Sequence, residues 1–452
     1  MSYVSIVGGG LAGSEAAWQA AEAGCDVLLY EMRPQIQTGA HTSDALAELV
    51  CSNSLGSNLP DRASGLLKFE LRRLGSLLVE CAEAVSVPAG DALAVDRNEF
   101  SRLVTRKLSH HRRIRIIREE VTHIPEGICI IASGPLTSPH LAEAIQTFTG
   151  QERLFFYDAI APIVNRDSID FSIAFSGSRY NIGEDGTGDY INCPLDREQY
   201  FCFIEALKTA ERIPLREFET DLKTGVRAGI DRYFESCLPV EIMAQRGDLA
   251  LAYGPMRPVG LRNPRSGRRP FAVVQLRQDN LAGRLYNMVG FQTNLTYPEQ
   301  RRVFRLIPGL EQVEFSRYGQ MHRNTFIASP LLLLPTLQSR TRADLFFAGQ
   351  ITGVEGYMGN IATGLLAGLN SARLTARLEP LALPLTTMLG ALCHYVTHAA
   401  MKDFQPMKAN FGILPELNGA YNGKRARARA YQQRSFQDLD TFISTYLREA
   451  ML

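Results

Sequence analysis

The chain opens with a short apolar run, Tyr3 to Val7, that meets Gly8-Gly9-Gly10 with no residues between. Ala12 to Ala23 then has helical composition with Gly24 as its stop, and Asp26 to Glu31 forms a second apolar run ending in a carboxylate. Two such runs around one helix predict a β-α-β unit in a parallel sheet buried on both faces. Leucines 66, 67, 71, 74, 77 and 78 predict a helix over Gly65 to Ala84. Gly127 to Ala132 reads as a fully apolar strand, and Asp344 to Gly349 repeats the strand-then-glycine pattern. Gly364 to Arg373 follows as a helix of small residues, suited to close packing on a sheet. Between 166 and 329 the texture changes to Pro, Gly, Arg and scattered aromatics, with loop signals at Gly183 to Gly188 and Asn263 to Gly267. The tail beyond about 380 reads as helical and carries the basic run Lys424 to Arg429.

The 452 residues are long enough for two or three domains, and 21% charged residues with 45% hydrophobic ones argue for a packed core. A net charge of +1 excludes a uniformly basic nucleic-acid binder. The average conceals an asymmetry. Residues 1–60 carry Arg33 against six carboxylates, whereas residues 257–305 carry ten arginines against Asp279 and Glu299. Eight cysteines without a CxxC pair exclude a disulfide scaffold and a zinc ribbon. The first residues have no basic stretch or cleavage signal, and the apolar run Pro330 to Pro335 is far below the ~20 residues of a membrane span. A cytoplasmic protein with reduced thiols and no membrane contact is expected.

Gly8, Gly10 and Gly13 follow a strand and open a helix, the setting of a pyrophosphate-binding turn. Gly9, Leu11 and Ala12 complete the turn. Glu31, at the end of the next strand, stands where a ribose hydroxyl is bound. The position of this fingerprint at the start of the chain favours FAD over NAD. So does the late strand ending in Gly349-Gln350, which resembles a second flavoprotein motif, with Gln350 in place of Asp. The expected architecture is α/β. A Rossmann-like, glutathione-reductase-like FAD-binding domain (1–165 and 330–452) is split by an inserted α+β domain (166–329). With no second dinucleotide unit in view, NADH or NADPH is expected to bind transiently over the flavin.

Further stretches carry a family likeness: Glu48 to Leu55 around Cys51, Ala89 to Arg97, Tyr157 to Ile163, Tyr190 to Pro194, Phe234 to Glu241 around Cys237, and Ala409 to Pro415. Together they resemble the folate- and FAD-dependent tRNA (uracil-5-)-methyltransferases, from residue 3 to about 417. The resemblance implies transfer of a one-carbon unit from 5,10-methylenetetrahydrofolate to C5 of the uridine at position 54 of the tRNA T-loop, with NAD(P)H reducing the flavin. Cys51 and Cys237 lie at the family's two functional cysteine positions. By resemblance Cys237 adds to C6 and Cys51 assists loss of the C5 proton, while Tyr357 lies at the flavin ring. Thiolates suit conjugate addition near neutral pH. Judged locally, both cysteines resemble ordinary buried thiols. The other six are expected to be structural.

Arg262, Arg265, Arg268 and Arg269 crowd one loop, with Arg301, Arg302 and Arg305 beyond and Tyr286, Phe291 and Tyr297 between. Guanidinium forks match phosphates and aromatic rings stack on bases, so this is the expected RNA surface. His394 and His398 share a helical spacing but no acidic partner, and no metal is expected. Two alternatives remain: the same chemistry on a ribosomal RNA uridine, or a non-catalytic FAD- and RNA-binding protein.

Overall fold

The computed structural model describes residues 3–150, 154–179, 188–213, 238–419 and 421–447. Its centre is a five-stranded sheet in the order Leu345–Phe347, Cys129–Ile131, Val4–Val7, Val27–Tyr30, Ile114–Ile117, with every pairing parallel. Val7 lies opposite both Tyr30 and Ile131, and Ile131 lies opposite Phe347. The carboxyl ends of four strands therefore share one edge. Val4–Val7 has its sequence neighbour on one side and a distant strand on the other, a topological switch point where open α/β sheets bind ligands.

The Leu11–Glu22 helix leaves the first strand and packs on the Tyr357–Thr375 helix. Gly364 and Gly368 set that contact: a Cβ on either would lie 2.2 Å from the Ala12 oxygen and 2.5 Å from the Ala16 oxygen, respectively. The small-residue helix begins seven residues earlier than its composition indicated and uses its glycines against another helix.

The run expected as one helix over Gly65 to Ala84 is two, Ala63–Arg73 and Leu77–Ala84. Gly75 takes φ +75° and Ser76 caps the second helix by accepting from the Val79 N–H. Buried Glu15 accepts from the Ser76 hydroxyl at 2.8 Å and from the Leu78 N–H at 2.9 Å, which fixes the break. The leucine periodicity runs through both helices and so conceals it.

A second, antiparallel sheet has the order Phe175–Ser176, Tyr190–Leu195, Ala272–Gln278, Leu285–Met288, Ile163–Asn165, Phe315–Arg317. Helices Arg197–Thr209, Val240–Arg246 and Tyr297–Phe304 accompany it around a separate core containing Tyr200, Phe203, Phe291 and Phe304. The chain passes between the two units along an antiparallel ribbon, Leu154–Ala159 with Met321–Phe326. Because Ile163–Asn165 belongs to the second sheet, the crossing lies in that ribbon, ahead of the boundary placed at 166. Among the described residues no helix is long and apolar enough to cross a membrane.

Candidate functional site

The glycine turn forms the floor of a cleft at the carboxyl edge of the parallel sheet. Gly8 has φ +106°, and a Cβ on Gly13 would stand 1.8 Å from the Gly8 oxygen, so a side chain is excluded where the turn meets the helix. At Gly10 a Cβ would meet nothing within 4 Å. Its open side belongs to a cleft of about 990 Å³, counting the open mouth. Gly8, Leu11, Ala12, Glu31, Gly349, Gln350 and Tyr357 also line the cleft. Gly9 does not; a Cβ there would press into Leu46 and Glu31, so it serves packing beneath the turn. Gly349, at φ +81°, approaches Ala12 so closely that a Cβ would lie 2.8 Å from the alanine's own. The two glycine motifs are thereby one structure.

Glu31 accepts from the Gly9 N–H at 3.0 Å and from Nε and Nη2 of buried Arg33 at 2.9 and 3.0 Å. Burial raises the carboxyl's pKa, but the bonds and charge of Arg33 outweigh it and hold the group below its ordinary value. Gln350 donates to Glu355 at 3.0 Å. Asn360, also in the lining, keeps a buried Oδ1 with no hydrogen-bond partner among the described residues. A buried unsatisfied oxygen facing a cleft is a position for a ligand donor. The open backbone at Gly10, the helix N-terminus and this oxygen together fit a dinucleotide such as FAD.

Beside the cleft the Cys51-Ser52-Asn53 turn is held from three directions. The Tyr357 phenol oxygen accepts from the N–H groups of Cys51 and Ser52 at 2.9 and 3.0 Å. Burial and the neighbouring Cys51 raise the pKa of this phenol, so it remains neutral. Arg97 donates to the Leu49 oxygen at 3.0 Å and pairs with Asp279 at 2.9 Å. Burial opposes the Arg97 charge, but Asp279 outweighs it and keeps the guanidinium protonated. Arg277, from the second sheet, donates to the Ser52 hydroxyl at 2.7 Å and to Asn53 Oδ1 at 2.9 Å. Cys51 itself is half-buried, and Val50 lines the cleft. Cys237 lies outside the described residues. Cys25, Cys81, Cys129, Cys193 and Cys393 are buried. Burial pushes the thiols of Cys81, Cys129 and Cys393 up to about 12, which makes them inert near neutrality.

Residues 3–379 match the family described as glucose inhibited division protein A. The chain is 55% identical to the methylenetetrahydrofolate–tRNA-(uracil-5-)-methyltransferase TrmFO of Heliobacterium modesticaldum, over 98% of both chains. It is 54% identical to the protein of the same name from Enterococcus faecalis, over 96% of both. The chain belongs to the TrmFO family. Among solved structures, Aquifex aeolicus GidA has a TM-score of 0.71 at 17% identity, covering 99% of this chain and 76% of that one; the likeness is one of fold.

Two of the TrmFO-like sequence stretches meet across the domain boundary: the Tyr190 hydroxyl donates to the Ala89 oxygen at 3.0 Å, and the Gly90 N–H donates to Asp189. Arg97, Arg277 and Asp279 were not singled out as site residues from sequence. The one available signal for Arg97 was its place at the end of the Ala89 to Arg97 stretch. The expected RNA surface is redistributed. Arg262, Arg265, Arg268 and Arg269 are all exposed, but Arg265 is held by the Ile173 and Ala174 oxygens at 2.8 and 3.3 Å. The loop enters the Ala272–Gln278 strand at the end away from Cys51, roughly 20 Å from it at ~3.4 Å per residue. Tyr286 and Phe291, expected beside these arginines, are 9% and 0% exposed and belong to the second core. Tyr297, at 41% exposed, remains on the surface. His394 and His398 stack on each other with ring centroids 4.1 Å apart. Among the described residues no cluster of three or more His, Cys, Asp or Glu gathers around them or elsewhere.

Proposed function

We propose that this protein methylates C5 of a uridine in the tRNA T-loop, taking the carbon from 5,10-methylenetetrahydrofolate, with FAD as cofactor and NADH or NADPH as reductant. The observation that carries the reading is the Cys51-Ser52 turn, suspended from a tyrosine that lines the dinucleotide cleft. A thiol beside a flavin-type cleft suits a reaction that needs both, and uracil methylation uses both.

The Gly8–Gly13 turn and the following helix N-terminus would hold the pyrophosphate, with Glu31 at the ribose. Asn360 Oδ1 would accept from a donor on the cofactor. When bound, FAD supplies the hydride equivalent that converts a methylene to a methyl group. Uracil C5 becomes nucleophilic once a thiolate adds at C6, and Cys237 is assigned that addition. Once C5 carries the one-carbon unit, Cys51 as thiolate takes the C5 proton, and the electron pair set free expels tetrahydrofolate to leave a methylene on C5. When that methylene is reduced, Cys237 leaves C6 and the C5–C6 double bond is restored. Tyr357 stays neutral and fixes where the Cys51 backbone sits. Arg262, Arg268 and Arg269 would bind phosphates at a distance from the reacting base.

Purified protein with methylenetetrahydrofolate, NAD(P)H and unmodified tRNA tests the reading by formation of 5-methyluridine. Product on ribosomal RNA alone would transfer the chemistry to that substrate. Flavin-loaded protein with no product on either RNA would leave a non-catalytic binder.

A further inference from the structure

Among the described residues, Arg277 is a buried cation with no carboxylate hydrogen-bonded to it. It extends from the Ala272–Gln278 strand of the inserted unit and spends its hydrogen bonds on neutral groups, the Ser52 hydroxyl, Asn53 Oδ1 and the Tyr190 phenol. Arg97 comes from the opposite unit, at the first turn of the Arg97–His110 helix. It is paired with Asp279, and its Nη2 lies 3.5 Å from the Cys51 carbonyl oxygen. The residues facing this turn thus include two guanidinium groups and one carboxylate. The Tyr357 and Tyr190 phenols, both raised by burial, add no charge near neutrality. Farther out, Arg33 is shared by Glu31 and Glu48, and the negative charge this leaves offsets Arg317, which Glu48 favours as a cation. Among the described residues, a surplus of one buried positive charge faces the Cys51 turn. Burying an unpaired cation is unfavourable unless an anion compensates it.

We propose that Arg97 and Arg277 are positioning residues that together favour the thiolate form of Cys51, which is the compensating anion of the cluster. Each domain contributes one guanidinium, so the reactive form of this thiol depends on the inserted unit being docked. What the thiolate is for rests on the function proposed above; the cluster and its charge do not. Burial opposes the charge on both guanidiniums and holds Arg277 below its ordinary value, whereas Asp279 outweighs it at Arg97; for each, the neighbouring Cys51 adds a smaller contribution that favours the cation. The reciprocal effect on the thiol follows from the same pairwise interaction.

The test is alkylation of Cys51 by iodoacetamide in the full-length flavoprotein, followed by peptide mass mapping from pH 5.5 to 9.5. In the unsubstituted protein the half-maximal rate is expected at least about one pH unit below the ~8.5 of an ordinary thiol. Arg277→Gln should slow alkylation at pH 7 by about fivefold or more, while Asp279→Asn, which removes the carboxylate paired with Arg97, should accelerate it at pH 6 by about threefold. A purely structural role would loosen the turn in both variants and move both rates in the same direction. That result, or an ordinary titration in the unsubstituted protein, overturns the proposal. Should Arg277→Gln fail to fold, Arg277→Lys is expected to retain a rate within about twofold, because the charge remains; a rate as slow as an ordinary thiol's would count against it. An absence of methyl transfer to any RNA would defeat the proposed function and leave these alkylation rates unchanged.

Discussion

The phenol oxygen of Tyr357 is the hydrogen-bond acceptor for the backbone of Cys51, 306 residues earlier in the chain. One atom thus joins the helix that borders the cleft to the turn that carries the thiol. Tyr357→Phe removes the acceptor for two N–H groups while keeping the ring. Its expected cost is about 1–3 kcal/mol of stability and a fall of about 10–100-fold in methyl transfer, since a misplaced reacting group loses rate steeply. Flavin absorbance should be retained. Chemical denaturation and single-turnover product formation measure the two effects, and unchanged turnover would remove Tyr357 from this role.

The glycine turn allows two substitutions of opposite character. A Cβ at Gly13 collides with backbone, so Gly13→Ala should lose both stability, by about 1–3 kcal/mol, and flavin. At Gly10 the added methyl meets only open space, so Gly10→Ala should melt like the unsubstituted protein without flavin, within about 0.5 kcal/mol. Its flavin affinity should nevertheless fall by about tenfold or more, because the methyl enters the space through which backbone approaches the pyrophosphate. Thermal melts of the flavin-free proteins and flavin titrations separate the two.

Lys68 is buried and its Nζ donates to the Gly56 and Ser57 oxygens and to Asn58 Oδ1, at 3.0, 3.1 and 3.1 Å. None of these acceptors is a carboxylate. Burial first, and Arg72 second, lower its pKa from 10.5 to about 7. Between pH 7 and 10.5 the unfolded chain binds the proton that the folded chain gives up, so this group's contribution to stability rises with pH. The stability difference between the unsubstituted protein and Lys68→Met should grow in favour of the former from pH 7 to 9.5, by up to about 1.4 kcal/mol per unit. Denaturant titrations at several pH values check this, and a flat difference would contradict it.

The arginine loop stands roughly 20 Å from the Cys51 turn, at ~3.4 Å per strand residue. Replacing Arg262, Arg268 and Arg269 together by Gln should therefore weaken tRNA binding without altering Cys51 alkylation. The slope of log affinity against log salt should fall by about 2–3 if each arginine meets a phosphate. Filter binding from 50 to 300 mM salt, about the usual working range, measures it. An unchanged slope would leave the loop outside the RNA surface.

What could be read from the sequence was what depends on near neighbours. Gly8 to Gly13, the strands on either side and Glu31 occupy a single stretch, and periodicity with glycine spacing was enough to place them. The Gly349 motif was legible for the same reason. The break at Gly75-Ser76 escaped because its fixing contact comes from Glu15, 61 residues away from Ser76. The Arg97–Asp279 pair and the Arg277–Ser52 bond span 182 and 225 residues, and no local pattern marks an arginine as the partner of a distant turn. Tyr286 and Phe291 show the converse error. Beside so many arginines they read as surface aromatics, yet the second core encloses them.

The ribbon between the two units has a topological consequence. Leu154 pairs with Phe326, so the points where the chain leaves and rejoins the flavin-type fold lie one strand spacing apart, about 4.8 Å. The inserted unit is in this sense a closed loop hung from a single hinge, and its excision would require only a short turn to rejoin the ends. The parallel sheet, by contrast, gets its outermost strand, Leu345–Phe347, from beyond the insertion. During synthesis that edge stays unpaired until the whole inserted unit has emerged, so the cofactor cleft is completed only after that unit.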